Sequence, residues 1–164
     1  MLIYHPAYDA FHCVVRICAI LENVAQIEVD RLRILDFYLC FPSSIGQLRL
    51  PRDLMKLRGQ SKSVENPYRN PIGARKVFTD VEKILDPSLG CLEAAGLIVI
   101  DESTYVRRTK NFLPEKLASS CQRLSGEESF FFTNCLKPLL AMSLLGAGGL
   151  KDRSGLMEYR YDVA

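Results

Sequence analysis

Apolar residues recur along most of the chain at the spacing of a buried helix face, with a few short β-branched runs between them. Pro6 stands where a helix can begin, and Ala7, Phe11, Val14, Val15, Cys18 and Leu21 then share one face of a long first helix. A second helix over Glu28 to Phe41 stops at Pro42; seven of the eight residues from Ile34 to Phe41 are apolar, so it is buried nearly all round. Asp36 is the exception within that run. A carboxylate in such surroundings needs a partner, and Arg33, three residues earlier, is the expected one; the alternative, a catalytic acid, has no second carboxylate or histidine placed to work with it.

The stretch from Val77 to Thr109 organises the rest. Val77, Phe78, Val81, Ile84 and Leu85 mark a helix that Asp86 and Pro87 are expected to interrupt, with Asp86 capping and Pro87 opening a second, short helix that ends at Gly96. Leu97 to Ile100 and Thr104 to Thr109 then read as two strands of a hairpin turned at Asp101 to Ser103. Helix, turn, helix and hairpin together are the pattern of a winged helix. Further on, a helix from Pro114 to about Leu124 precedes a Ser125/Glu128 capping box and a helix carrying Phe130 to Leu144, kinked at Lys137 and Pro138. Gly146, Gly148 and Gly149 end it, and the alternation of Met157, Tyr159, Tyr161 and Val163 reads as a half-buried terminal strand.

Charge changes the picture in one place. The chain has 164 residues and a net charge of +2, yet residues 49–76 hold Arg49, Arg52, Lys56, Arg58, Lys62, Arg69, Arg75 and Lys76 against only Asp53 and Glu65. Pro51, Pro67, Pro71, Gly59 and Gly73 break this segment up, so it reads as a basic, largely irregular connection with one short helix from Arg52 to Arg58. It is either a solvated loop or a contact for phosphate or an acidic partner.

Chemistry-bearing motifs are missing from the sequence. There is no G-x-S-x-G elbow, H-E-x-x-H, phosphate-binding loop or dinucleotide fingerprint, and His5 and His12 are the only histidines, so neither enzyme, cofactor nor metal site is expected. Cys13, Cys18, Cys40, Cys91, Cys121 and Cys135 lie far apart with no C-x-x-C pair and read as buried, free thiols of a reducing cytoplasm. No secretory pattern opens the sequence, and the apolar run from Pro138 to Leu150 is short of the ~20 residues that span a bilayer, so a cytoplasmic location away from membranes is expected.

Three blocks carry a family resemblance: YHPAYDAFHCVVRICAILE at the start, RLRILDFYLCFP at Arg31 to Pro42, and LEAAGLIVID leading into the hairpin. They resemble the small middle component of bacterial three-component ABC-ATPase systems, the Lamassu-type anti-phage defences. The resemblance implies a non-catalytic adaptor that links an SMC-like ABC ATPase to an effector nuclease; the charge of the basic segment separately suggests a contact with the DNA backbone that is independent of base sequence. The competing reading is a winged-helix transcription regulator, but the outward residues expected on its recognition helix, Ser88, Gly90, Cys91, Glu93 and Ala94, are poor readers of base edges. The expected fold is mainly α with a small β-wing, one domain comprising N-terminal helices (1–48), the basic connection (49–76), helix-turn-helix and wing (77–110), and C-terminal helices with a strand (111–164).

Overall fold

The computed structural model describes residues 5–64, 71–102 and 104–158. It is mainly helical, with one small three-stranded antiparallel sheet. Helix α1 (Ala10–Leu21) starts four residues later than the sequence suggests. Pro6–Tyr8 form a separate 3-10 turn, and Asp9 caps α1 by accepting from the His12 amide at 2.9 Å. A two-residue strand β1 (Ile27–Glu28) leads into α2 (Val29–Cys40), whose end at Phe41 follows from Pro42.

Residues 49–62 are more ordered than expected. A 3-10 turn at Arg52–Leu54 runs into α3 (Met55–Lys62), which packs on the 3-10 segment Pro42–Gln47 through buried Leu57 and Ser61. Arg75 and Lys76 belong to helix α4 (Ala74–Ala94) and not to the connection.

Helix α4 corrects the reading of Asp86 and Pro87 as a break: one helix of 21 residues runs through both. Pro87 removes the amide that would bond the Lys83 carbonyl, a defect of about 3 kcal/mol in a helix interior. The apolar stripe explains why the helix continues. Phe78, Val81, Leu85, Ser88, Leu89 and Leu92 stay buried in one phase across the proline, packed against α1 and α2. The Ser88 hydroxyl donates to the Ile84 carbonyl at 2.7 Å just past the defect. Gly96, at φ 70°, ends the helix as expected, with the Leu97 amide reaching back to the Leu92 carbonyl at 3.0 Å.

Strands β2 (Ile98–Asp101) and β3 (Tyr105–Arg108) form the hairpin, and β1 adds to its far side, giving the order β1-β3-β2. Ile27 faces Val106, which faces Ile100, and Val106 is fully buried where the sheet meets α1. Helix α5 (Glu115–Leu124) lies along α1. The capping box expected at Ser125 and Glu128 is not used; instead Ser129 receives the Phe132 amide at 3.4 Å. A π-helical turn at Phe131–Cys135 then leads into α6 (Leu136–Ala141), placing the expected irregularity one turn ahead of Pro138, which has no amide for the Asn134 carbonyl. Gly149 must be glycine, because a Cβ there would sit 2.4 Å from the Leu145 carbonyl oxygen, and it opens the short helix α7 (Leu150–Ser154). Met157 and Glu158 are not in a strand, and the remainder of the expected terminal strand lies outside the described residues.

Candidate interaction surface

Cations on α1 and α2 tie the helices together. Asp36, wholly buried, does not pair with Arg33 as expected; its partner is Arg16 of α1, with Nε at 2.6 Å from Oδ1 and Nη2 at 3.3 Å from Oδ2. The same guanidinium donates to the Pro6 carbonyl at 3.0 Å and reaches that of Ala7 at 3.5 Å, so one buried side chain fixes the N-terminal turn to both helices. Arg33 is drawn outward by three carboxylates, Asp30 at 2.8 Å, Asp86 at 2.9 Å and Glu82 at 3.7 Å. Arg31 donates through Nη1 to the carbonyls of Leu139, Leu140 and Met142 at 2.8–3.3 Å, closing the end of α6, while its other nitrogens hold Glu28. Lys151, buried on α7, reaches Asp30 at 2.7 Å.

The basic segment divides into residues used by the fold and residues left outward. Arg49 bonds the carboxylate and backbone carbonyl of Asp152, and its own carbonyl accepts from Arg153 at 2.6 Å. Arg58 is half-buried, with Nη2 donating to the Leu48 carbonyl at 3.4 Å. Arg52, Lys56 and Lys62 are exposed on the Arg52–Leu54 turn and α3, and Arg75 and Lys76 are exposed in the first turn of α4. Arg69 lies outside the described residues. Lys56 and Arg58 point to opposite sides of α3, about 200° apart at 100° per residue, so the described basic residues do not converge on one face.

Two clefts lie elsewhere. Where the His5–Ala7 turn, the first half of α1 and the ends of α2 and α5 meet, a cleft of about 510 Å³ is lined by Phe11, His12, Val15, Leu39, Arg123 and Leu124 among others. Across α1, a second and more apolar cleft of about 320 Å³ lies between α1 and α4, with Val14, Lys83, Ile84, Pro87 and Cys91 in its walls. Phe11 lines both and is 42% exposed, a ridge between the two with the Lys116 ammonium 5.3 Å from its ring centre. Periodicity places Phe11 on the buried face of α1; the packing of α4 and α5 on either side of the helix leaves its first turns uncovered. That exposure has no signature in the sequence.

Burial, then the charge of Arg16, lowers the His5 pKa, and the ring accepts from the Ala7 amide through Nδ1 at 3.1 Å. Burial pushes the Cys13 thiol up to about 12, helped by the Asp36 charge, and burial likewise holds Cys40 well above the usual thiol range. Among the described residues no group of His, Cys, Asp and Glu is arranged to hold a metal ion. Among them, too, no helix is long and apolar enough to cross a membrane.

The chain matches no curated protein and no solved structure. A family model, ABC-three component (ABC-3C) system Middle Component 5, matches residues 2–162, almost the whole chain and all the elements that frame the two clefts. A match of that extent makes the chain a member of the Middle Component 5 family of ABC-three component systems, a part of a multi-subunit ABC-ATPase system.

Proposed function

We propose that this protein is the non-catalytic adaptor of an anti-phage defence complex of the Lamassu type, joining an SMC-like ABC ATPase to an effector nuclease in the cytoplasm. The observation that carries the reading is the family match over residues 2–162, because a middle component has partners by definition. The exposed apolar ridge at Phe11 supports it, as contiguous apolar surface framed by polar residues marks protein contacts.

We further infer a winged-helix core. The element order α1, β1, α2, α4, β2, β3 and the sheet order β1-β3-β2 support it, with α3 inserted between the two central helices and β2–β3 as the wing. In that arrangement α4, not a short helix after Pro87, is the counterpart of a recognition helix. Its outward residues include Glu82, Asp86 and Glu93 beside Lys83, which is tied to Asp80 at 2.8 Å, and this balance favours protein contact over base reading. Contact with DNA is then a matter of phosphates, made by Arg52, Lys56, Lys62, Arg75 and Lys76, independent of base sequence and weak unless the ATPase holds the DNA nearby.

Co-expression tests the adaptor reading. The tagged chain should retain both the ATPase and the effector through size-exclusion chromatography, and removing the chain should separate those two. An ATPase and effector that associate equally well without it would refute the role.

A further inference from the structure

The two clefts beside Phe11 share a chemical character that the adaptor reading does not by itself require. Their walls are all helical apart from the His5–Ala7 turn, and helix backbones spend their amides and carbonyls internally. An extended peptide laid across them would find almost no backbone partners and would bury its own polar groups unpaired. A helix satisfies its backbone by itself and presents side chains at i, i+3, i+4 and i+7, which is how grooves between helices are filled. The surface has a ridge with a hollow on each side, a shape that such a row of side chains straddles.

Charge narrows the occupant further. Among the described lining residues of both clefts there is no aspartate or glutamate, whereas Arg123 lines the first, Lys83, paired with Asp80, lines the second, and Lys116 stands over Phe11. Neighbouring carboxylates are engaged elsewhere: Asp9 caps α1, Asp36 is buried against Arg16, and Glu82 and Asp86 face Arg33. Pro87 adds to the wall, since it leaves the Lys83 carbonyl without its helical amide donor beside the second cleft. We propose that the Phe11 ridge and its flanking clefts are the docking site for an amphipathic helix of a partner subunit, its apolar stripe seated around Phe11 and flanked by aspartate or glutamate.

This assignment rests on the adaptor reading, and Cys91 provides a test that needs no mutation. Cys91 is exposed on the wall of the second cleft, whereas Cys13, Cys18, Cys121 and Cys135 are buried and Cys40 is half-buried with its thiol held protonated. In the native full chain, iodoacetamide should label Cys91 first. With the purified ATPase or the purified effector present at about ten times its Kd, that labelling should slow about tenfold, following the free fraction of chain. The substitution Phe11→Glu, at an exposed site, should weaken binding of the same subunit at least about tenfold, as loss of an aromatic anchor does. Reversal of Lys116 and Arg123 to glutamate should weaken it and flatten its salt dependence. Circular dichroism confirms that the variants are folded, and the unmodified chain's Cys91 protection stands even where they are not. If the native chain binds neither subunit, the adaptor reading itself fails. If it binds with Cys91 labelling unchanged and with Phe11→Glu at full affinity, the docking site is wrong and the adaptor reading survives. A chain that dimerises through Phe11 and still binds its partners normally would also overturn the assignment, making the ridge a contact between copies.

Discussion

Separating Arg16 from Asp36 is the most informative perturbation of this fold. Asp36 has no exposed surface and Arg16 has 5%, and four hydrogen bonds from the guanidinium converge on Asp36, Pro6 and Ala7. Arg16→Met strands a buried carboxylate, which costs about 3–5 kcal/mol, and removes two bonds to backbone carbonyls worth roughly 1 kcal/mol each. Against a total stability of about 5–15 kcal/mol this is a large fraction. The sum of about 5–7 kcal/mol corresponds to a fall in Tm of roughly 10–28 °C at 2–4 °C per kcal/mol for a domain of this size. The double variant Arg16→Met/Asp36→Leu removes the stranded charge and should recover most of that loss, because a buried pair exchanged for apolar side chains is about neutral. Arg33→Met, at a partly exposed site among three carboxylates, should cost about 1 kcal/mol or less. Equilibrium unfolding in urea, read by circular dichroism and near-ultraviolet absorbance together, gives these differences as shifts of the midpoint at constant slope. A larger loss from Arg33→Met than from Arg16→Met would mean that Asp36 is held from within its own helix, and the assignment of partners would be wrong.

Pro87→Ala supplies the missing amide to Lys83 and should stabilise the chain by about 1–3 kcal/mol; a destabilised variant would show that the proline ring packs to an advantage its wall position does not suggest. The Arg31 fork holds the Glu28 carboxyl below the usual 4.5, against the opposing effect of burial, so its contribution is complete above that pH and is lost as pH falls through the lower folded value. Glu28→Gln should therefore flatten the acid limb of a stability curve measured between pH 5 and roughly pH 2, and an unchanged limb would disprove the linkage. Unfolding without reductant in the presence of iodoacetamide should label all six cysteines by mass spectrometry, and a reproducible internal disulfide would overturn the expectation of a reducing compartment. Replacing Arg52, Lys56 and Lys62 with glutamate should reduce DNA binding by the assembled complex and lower its salt slope while leaving assembly intact; unchanged affinity and slope would leave these residues as solvated surface.

What the sequence determines by itself is local. The phase of apolar residues marks α1, α2 and α5 to within a few residues, and Gly96 and the β-branched run after it place the hairpin, because these features depend on spacing and backbone preference within one segment. The same locality misleads at Pro87. A proline inside a pattern is evidence for a break, and only the continuous burial of Phe78 to Leu92 against α1 and α2 overrides it. Pairing is likewise beyond the sequence: Arg33 is nearer to Asp36 along the chain, but helix packing brings Arg16, twenty residues away, to the buried carboxylate. β1 is two residues long and exists because β3 is beside it. The basic segment stands out as a run of charge, yet the fold takes Arg49 and Arg58 for its own contacts and transfers Arg75 and Lys76 to α4. Phe11 shows the limit most clearly. Periodicity assigns it to the core, and whether a helix face is covered depends on where neighbouring helices stop, which tertiary packing alone decides.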